Sequence, residues 1–263
     1  MTRLEQIRFL NKILLTEMPE YHAQAVQFPQ DQTSQRRLLR SLMNVRPPMP
    51  LSSDFLSIQD ELLTAEREDK GVVDGDAFPA VAVHPQIAVW QGDITRLKVD
   101  AIVDADNSAL LGCFCPCHGC IDNAIHSAAG LQLRDECNTI MEAQGHPEET
   151  GRAKMTAGYN LPARYILHTV GPIVQGRVTA HDRAMLKSCY RSCLELAAEY
   201  NLNSVAFCCI STGEFHFPNR EAAEIAVKTV TNFLQVKTSV KKVIFNVFKD
   251  IDAKIYGELL GAN

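Results

Sequence analysis

Ser204-Val-Ala-Phe-Cys-Cys-Ile210 is apolar on both faces, and Ser211-Thr-Gly-Glu-Phe-His-Phe-Pro218 follows it directly, ahead of an amphipathic stretch near Arg220–Leu234. A strand with no polar face meets water on neither side, so it belongs at the centre of a sheet covered by helices. Further β-rich runs lie at Ile87–Trp90, Ala101–Val103, Lys154–Tyr159, Tyr165–Thr169, Val205–Ile210 and Lys242–Val247. Amphipathic segments near Ile121–Ala129, His181–Tyr200, Arg220–Leu234 and Ile251–Leu260 separate them. This alternation predicts an α/β fold with helices on both faces of one sheet. No internal repeat or low-complexity segment interrupts it.

The first seventy or so residues have a different texture. Leu4, Ile7, Leu10, Leu14 and Met18 recur at helical spacing. A second helix is expected over Arg36–Val45, ended by Arg46-Pro47-Pro48-Met49-Pro50. A third begins after the capping residues Ser52-Ser53-Asp54 and carries Phe55, Ile58 and Leu62 on one face. These apolar stripes pack the helices onto the neighbouring unit. The texture changes after Asp69-Lys70-Gly71, so residues 1–72 are expected as an N-terminal helical extension and 73–263 as the α/β domain.

Composition narrows the function classes. The chain has 263 residues, is 46% hydrophobic and carries a net charge of −5. That charge argues against a nucleic-acid-coating protein, which needs a basic surface. It leaves room for an anionic small ligand, because backbone N–H groups at helix starts and tight turns hold phosphates without lysine or arginine. No apolar run is long enough to span a membrane, and the first ten residues mix charges where a signal peptide is apolar. A cytoplasmic protein that binds neither nucleic acid nor membrane is expected.

In open α/β sheets, ligands sit where strands end, so the loops after Gln91, Val103, Thr169, Ile210 and Val247 are the ones to read. The second holds Cys113-Phe-Cys-Pro-Cys-His-Gly-Cys120. Crowded thiols with an imidazole, in a chain of nine cysteines without a secretion signal, read as a zinc site before a disulfide. Five donors compete for at most four positions. Three protein donors leave a position open to water and suit catalysis; four close the site and make it structural. Ser211–Pro218 is a small-residue turn between strand and helix, suited to a diphosphate or simply to a tight connection. Asp93 in Gly92-Asp-Ile-Thr95 is either a cap or an acceptor for the exocyclic amine of a base, the cap being favoured on its own. Asn107 both donates and accepts, which suits a ribose hydroxyl or equally the turn alone. Asp122 begins a helix as a cap or as a general base near the metal. His216 reads as a solvated loop residue, and Cys137, Cys189, Cys193, Cys208 and Cys209 as small core filler.

In order, Val89-Trp-Gln-Gly-Asp-Ile-Thr95, Val99-Asp-Ala-Ile-Val103 with Asn107-Ser108, Ile121-Asp-Asn-Ala-Ile-His126, Ile166-Leu-His-Thr-Val-Gly-Pro172 and Ile210-Ser-Thr-Gly213 resemble the macrodomain family. The family often has a glycine-rich loop where this chain has its Cys/His cluster, and the cluster resembles the zinc-containing branch, which also has a helical N-terminal extension. The resemblance implies a three-layer α/β/α macrodomain with a mixed central sheet. It also implies a hydrolase of the glycosidase type that removes mono-ADP-ribose from proteins, often paired with a sirtuin-type ADP-ribosyltransferase. One Zn2+ per chain would be held by Cys113, His118 and Cys120, leaving Cys115 and Cys117 as spectators. Asp93 and Ile94 would hold adenine with Phe248 packed nearby. Ser211, Thr212, Gly213, Glu214 and Phe215 would wrap the diphosphate. Ile121 would line the site, and Asn107 and Asp122 would face the distal ribose as the catalytic pair.

Where the family usually reads Asn-Ala-Ala-Asn, this chain reads Asp104-Ala105-Asp106-Asn107. Two carboxylates beside an anionic ligand weaken its binding unless a metal or hydrogen bond offsets them. Replacing Asp104 by Asn and Asp106 by Ala is therefore expected to tighten ADP-ribose binding in calorimetry, and an unchanged or weaker affinity would mean that their charge is already offset. Two other functions fit parts of the pattern. A non-catalytic ADP-ribose reader with a structural zinc shares every binding residue. A zinc nucleobase deaminase matches Pro116-Cys-His-Gly-Cys120, but its His-x-Glu element belongs upstream, and the only such triplet, His146-Pro-Glu148, lies downstream.

Overall fold

The computed structural model describes residues 1–261; the last two residues of the expected 73–263 unit lie outside them. Helices α1 (Arg3–Glu17), α2 (His22–Ala25), α3 (Gln32–Val45) and α4 (Ser53–Lys70) come first. Thr2 and Glu5 close a reciprocal capping box on α1, and the Asp31 and Ser52 side chains cap α3 and α4. The Asp31 cap explains why α3 starts before Arg36. Leu10, Leu14, Leu39, Leu42, Phe55 and Leu62 meet in an apolar cluster of their own, completed by Leu131 from the α/β region.

Strands β1 (Val73–Asp74), β2 (Ile87–Gln91), β3 (Leu97–Lys98) and β4 (Ala101–Asp106) follow, then helices α5 (Ile121–Ala129) and α6 (Leu131–Gln144). Next come β5 (Ala153–Ala157), β6 (Tyr165–Val170), α7 (Ala180–Glu199), β7 (Ser204–Phe207), α8 (Asn219–Leu234), β8 (Lys242–Val247) and α9 (Asp250–Leu260). Six strands form one sheet in the order β2-β8-β7-β4-β6-β5, while β1 and β3 pair separately. All neighbours in the large sheet run parallel except β5, which is antiparallel to β6. The sheet is therefore mixed, flanked by α5 and α6 and by α7 to α9, in an α/β/α arrangement. Val205, Ala206 and Phe207 on β7 are fully buried, as a central strand requires.

The central strand is shorter than its apolar run. It ends at Phe207 because the chain turns at once: Ile210 N–H donates to Cys208 O, and Ser211 is left-handed with φ 65°. Similarly, β5 stops before Gly158 and left-handed Tyr159. Helix α6 has no counterpart among the predicted elements. Gly130, with φ 103°, breaks it from α5, and its buried stripe of Leu131, Leu133 and Cys137 includes a buried arginine, Arg134. No helix among the described residues is long and apolar enough to cross a membrane.

Candidate active site

Parallel strands deliver their following loops to one edge of the sheet. Asp93 thus follows β2, Asn107 follows β4, Ser211–Phe215 follow β7 and Phe248 follows β8. Asp93 caps a short 3-10 turn: its Oδ1 accepts from Thr95 N–H at 3.0 Å and Thr95 Oγ1 at 2.6 Å. Its other oxygen has no partner among the described residues. Ile94 is only 1% exposed and belongs to the main core, so its side chain faces away from the cleft and only its backbone is offered to a ligand. Phe248 is 74% exposed, a bare aromatic face at the sheet edge.

The loop after β7 is built to leave N–H groups free. Phe217 N–H donates to Ser211 O and Val174 N–H to Phe215 O, which pins both ends. The N–H groups of Gly213, Glu214 and Phe215 have no acceptor among the described residues. Such a row of free amides is an anion cradle. Ser211 fits tightly against the loop after β6: a Cβ on Gly171 would lie 2.1 Å from Ser211 Oγ. That close approach accounts for the glycine in Thr169-Val-Gly-Pro172. His216 is exposed, as its sequence context predicts.

Between β4 and α5, the Cys/His loop selects among its five donors. Single donor atoms of Cys113, His118 and Cys120 all lie within 4.8 Å of one another. Zn–S and Zn–N bonds of about 2.3 and 2.0 Å in a tetrahedron separate sulfur from nitrogen by roughly 3.5 Å; Cys113 Sγ and His118 Nδ1 are 3.7 Å apart. The second imidazole nitrogen, Nε2, lies 3.8 Å from Glu214 Oε1, where a metal-binding histidine would have its outer carboxylate partner. This donor set fits zinc. Cys117 turns away: its N–H donates to Asn44 Oδ1 at 2.9 Å and its Sγ lies 3.3 Å from Ser41 Oγ. Cys115 is exposed. His146 and Glu148 do not join the group, since Glu148 pairs with Lys154 at 2.8 Å.

Asp122 sits in the first turn of α5, whose cap is the Cys120 sulfur, which accepts from Asn123 N–H. Asn107 Nδ2 donates to Asp122 Oδ2 at 3.3 Å and to Gly112 O at 3.2 Å. Asp122 Oδ1 has no hydrogen-bond partner among the described residues. Burial, and then the neighbouring Asp106 carboxylate, raise the Asp122 carboxyl well above the usual carboxylate range. Asp106 is itself pushed up to about 7 by burial, although His168 Nδ1 lies 2.6 Å from its Oδ2. Burial pushes His168 down to about 4, so its uncharged ring meets Asp106 as a hydrogen-bond partner and not as a counter-charge; Asp104, with both oxygens orphaned, has no partner at all.

Several residues that hold the site have no counterpart among the residues read from sequence. Asn123 Nδ2 donates to Cys115 O at 3.0 Å and to Cys113 O at 3.5 Å, binding the metal loop to α5. Arg40, from α3, grips Asn123 Oδ1 at 2.7 Å and His118 O at 3.4 Å. Buried Arg134 joins Leu111 O, at 2.6 Å, to Met43 O and Arg46 O of the extension at 2.8 and 2.6 Å. The N-terminal helices therefore brace the Cys/His loop directly. Asn123 stands inside a quoted motif and is the one with a usable signal, three residues after Cys120. Gly112 completes the brace: its φ is 80°, and a Cβ there would lie 2.9 Å from the His126 ring and 3.2 Å from Arg134. Gly112→Ala is expected to lower unfolding free energy by about 1–3 kcal/mol, measured by urea denaturation; unchanged stability would show that the loop relaxes freely.

The family model of the Macro domain matches residues 103–226. A protein-ADP-ribose hydrolase of Treponema medium is 51% identical over 262 residues, covering 99% of this chain and 100% of that one. A Fusarium oxysporum f. sp. cubense protein named "Probable bifunctional ADP-ribose hydrolase/ADP-ribosyltransferase" is 43% identical, covering 85% of this chain and 40% of its own length. Among solved structures, the Trypanosoma brucei macrodomain in complex with ADP-ribose is 33% identical with a TM-score of 0.66, covering 84% of this chain and 95% of that one.

Proposed function

Because the chain belongs to the macrodomain family and is a hydrolase, we propose that it removes ADP-ribose from ADP-ribosylated proteins with the help of one Zn2+ held by Cys113, His118 and Cys120. The observation that carries this reading is the convergence at one sheet edge of three things: a free-amide loop, a sulfur-imidazole triad and a buried carboxyl steered by Asn107. The Trypanosoma structure, with ADP-ribose bound, supports the ligand. The division into a helical extension over 1–72 and a macrodomain over 73–263 is part of the proposal, the extension acting as a brace for the metal loop.

Adenine binds beside Asp93, whose free oxygen accepts from the exocyclic amine, next to the Ile94 backbone and the exposed face of Phe248. The diphosphate lies along Ser211, Thr212, Gly213, Glu214 and Phe215, receiving the free N–H groups of Gly213, Glu214 and Phe215, and passes Ile121 at the start of α5, where the helix dipole favours negative charge. The distal ribose reaches Asn107 and Asp122. A zinc ion held by Cys113, His118 and Cys120 would supply Lewis-acid polarisation of oxygen at the reacting ribose. Asn107 holds Asp122 Oδ2 and so sets the carboxyl that orients water and takes its proton. The water oxygen bonds to the anomeric carbon, the bond from that carbon to the protein side chain breaks, and the leaving atom is protonated from solvent.

Pairing with a sirtuin-type ADP-ribosyltransferase in the cytoplasm completes the proposal; the Fusarium relative, whose name joins both activities, supports it. The test is incubation with defined mono-ADP-ribosylated proteins, with and without a zinc chelator. Release of ADP-ribose that stops on chelation and returns with Zn2+ is expected. Release that is indifferent to chelation would remove zinc from the account, and binding without release would make the protein a reader.

A further inference from the structure

Beneath the ribose end of the cleft lies a second cluster of ligating groups that the proposed reaction does not use. In the β4–β6 ladder, Asp104 stands directly opposite His168. Asp106, two residues along β4, projects from the same face of the sheet. His126, one helical turn after Asp122, comes down from α5, with its ring centroid 6.2 Å from that of His168. One donor atom from each of Asp104, Asp106, His126 and His168 lies within 4.8 Å of the other three. The four residues are 0%, 1%, 5% and 0% exposed, respectively.

The cluster is poorly satisfied from within the protein. Both oxygens of Asp104, Oδ1 of Asp106 and both ring nitrogens of His126 have no hydrogen-bond partner among the described residues. The one short contact is Asp106 Oδ2 to His168 Nδ1, at 2.6 Å. His126 Nε2 stays 3.9 Å from Asp106 Oδ1 and 3.6 Å from Asp122 Oδ1. Buried polar atoms are almost always paired, and a concentration of orphans in one place calls for a missing partner. That partner must satisfy two carboxylates and two imidazoles together.

We propose that Asp104, Asp106, His126 and His168 bind a second divalent transition-metal ion, Zn2+ by preference, distinct from the ion of the Cys113–His118–Cys120 triad. Two carboxylates neutralise a doubly charged ion, and four protein donors make a closed, structural shell. Two imidazoles favour zinc over magnesium or calcium, and zinc outcompetes manganese and ferrous iron at such sites. His168 already has an outer partner, Thr156 Oγ1 at 2.8 Å from Nε2, so Nδ1, now 2.6 Å from Asp106 Oδ2, is the nitrogen that would exchange its hydrogen bond for the ion. Cys137, whose Sγ is 3.9 Å from His168 Nε2, borders the same two imidazoles. The ion positions catalytic residues rather than touching substrate: it ties the end of β4, where Asn107 follows Asp106, to the turn of α5 that carries Asp122. It also gives the Asp104-Ala-Asp106 pattern a purpose. In metal-replete protein, replacing Asp104 by Asn and Asp106 by Ala removes two negative charges and a doubly positive ion together, so the tightening of ADP-ribose binding is confined to chelator-treated protein.

The test is a metal count on the full chain, expressed with Zn2+ and dialysed, by plasma mass spectrometry. Two ions per chain are expected in the wild type, one in Asp104→Asn/Asp106→Ala and one in Cys113→Ala/Cys120→Ala. Cobalt substitution gives a readout that needs no variant. Wild type is expected to combine an intense sulfur-to-cobalt charge-transfer band with additional weak visible bands of a nitrogen–oxygen site. One ion in the wild type, or two ions retained by Asp104→Asn/Asp106→Ala, overturns the proposal. Either result leaves the triad and the hydrolase reading standing, because those are tested by chelation and turnover.

Discussion

Replacing Asp122 with asparagine is expected to lower kcat for ADP-ribose release by about 10²–10⁴-fold, the usual worth of a positioned proton acceptor, while affinity for free ADP-ribose stays close to that of the wild type. Asparagine matches aspartate in shape, and its carbonyl oxygen still accepts from Asn107 Nδ2 in the pair that holds Asp122 Oδ2 at 3.3 Å. The substitution therefore leaves the wall of the ribose subsite in place. What is lost is the carboxylate's capacity to take a proton. Single-turnover kinetics together with calorimetry separate the two effects. A variant that binds weakly but turns over at the wild-type rate would make Asp122 a binding residue only.

The second large effect is expected at the metal triad. Cys113→Ala or Cys120→Ala removes one of three donors, and turnover is expected to fall by at least about 10²-fold, to the level of chelated protein, since a Lewis acid contributes several kcal/mol to transition-state stabilisation. Folding is expected to survive, because the loop is also held by Asn123 through the Cys113 and Cys115 carbonyls and by Arg40 through His118 O. Cys115→Ala is the matched control: this thiol is exposed and outside the triad, so turnover is expected to be unchanged. If Cys115→Ala lost as much as Cys113→Ala, the donor assignment would be wrong.

The fold was legible in the sequence wherever secondary structure carries its own period. The segments expected at Ile121–Ala129 and Lys242–Val247 coincide with α5 and β8. It was illegible where tertiary context decides. Cys208, Cys209 and Ile210 continue the apolar run of β7, yet the backbone turns there through the Ile210–Cys208 hydrogen bond and left-handed Ser211, which lies against Gly171. Helix α6 was hidden because Arg134 occupies a buried position, where a local reading expects solvent. Its partners, Leu111, Met43 and Arg46, are far away in sequence.

The same division runs through the site. The Cys/His loop and the turn after β7 stand out as local composition, but spacing alone leaves five donors for at most four positions. Three-dimensional separation picks Cys113, His118 and Cys120, and turns Cys117 toward Ser41 and Asn44 of α3. Arg40 reaches Asn123 across 83 positions of sequence, a contact with no local signature. Asp104 and Asp106 were visible as departures from the family pattern. Their imidazole neighbours, His126 and His168, lay inside motifs already quoted, and only the ladder between β4 and β6 brings the four together.

The most direct measurement is a single-turnover experiment with zinc-replete protein in excess over one mono-ADP-ribosylated protein, followed by intact-mass spectrometry. Conversion to the unmodified mass with stoichiometric free ADP-ribose, abolished by chelation and restored by Zn2+, is expected. A modified protein that stays bound and unchanged in mass beside fully metallated enzyme would contradict it.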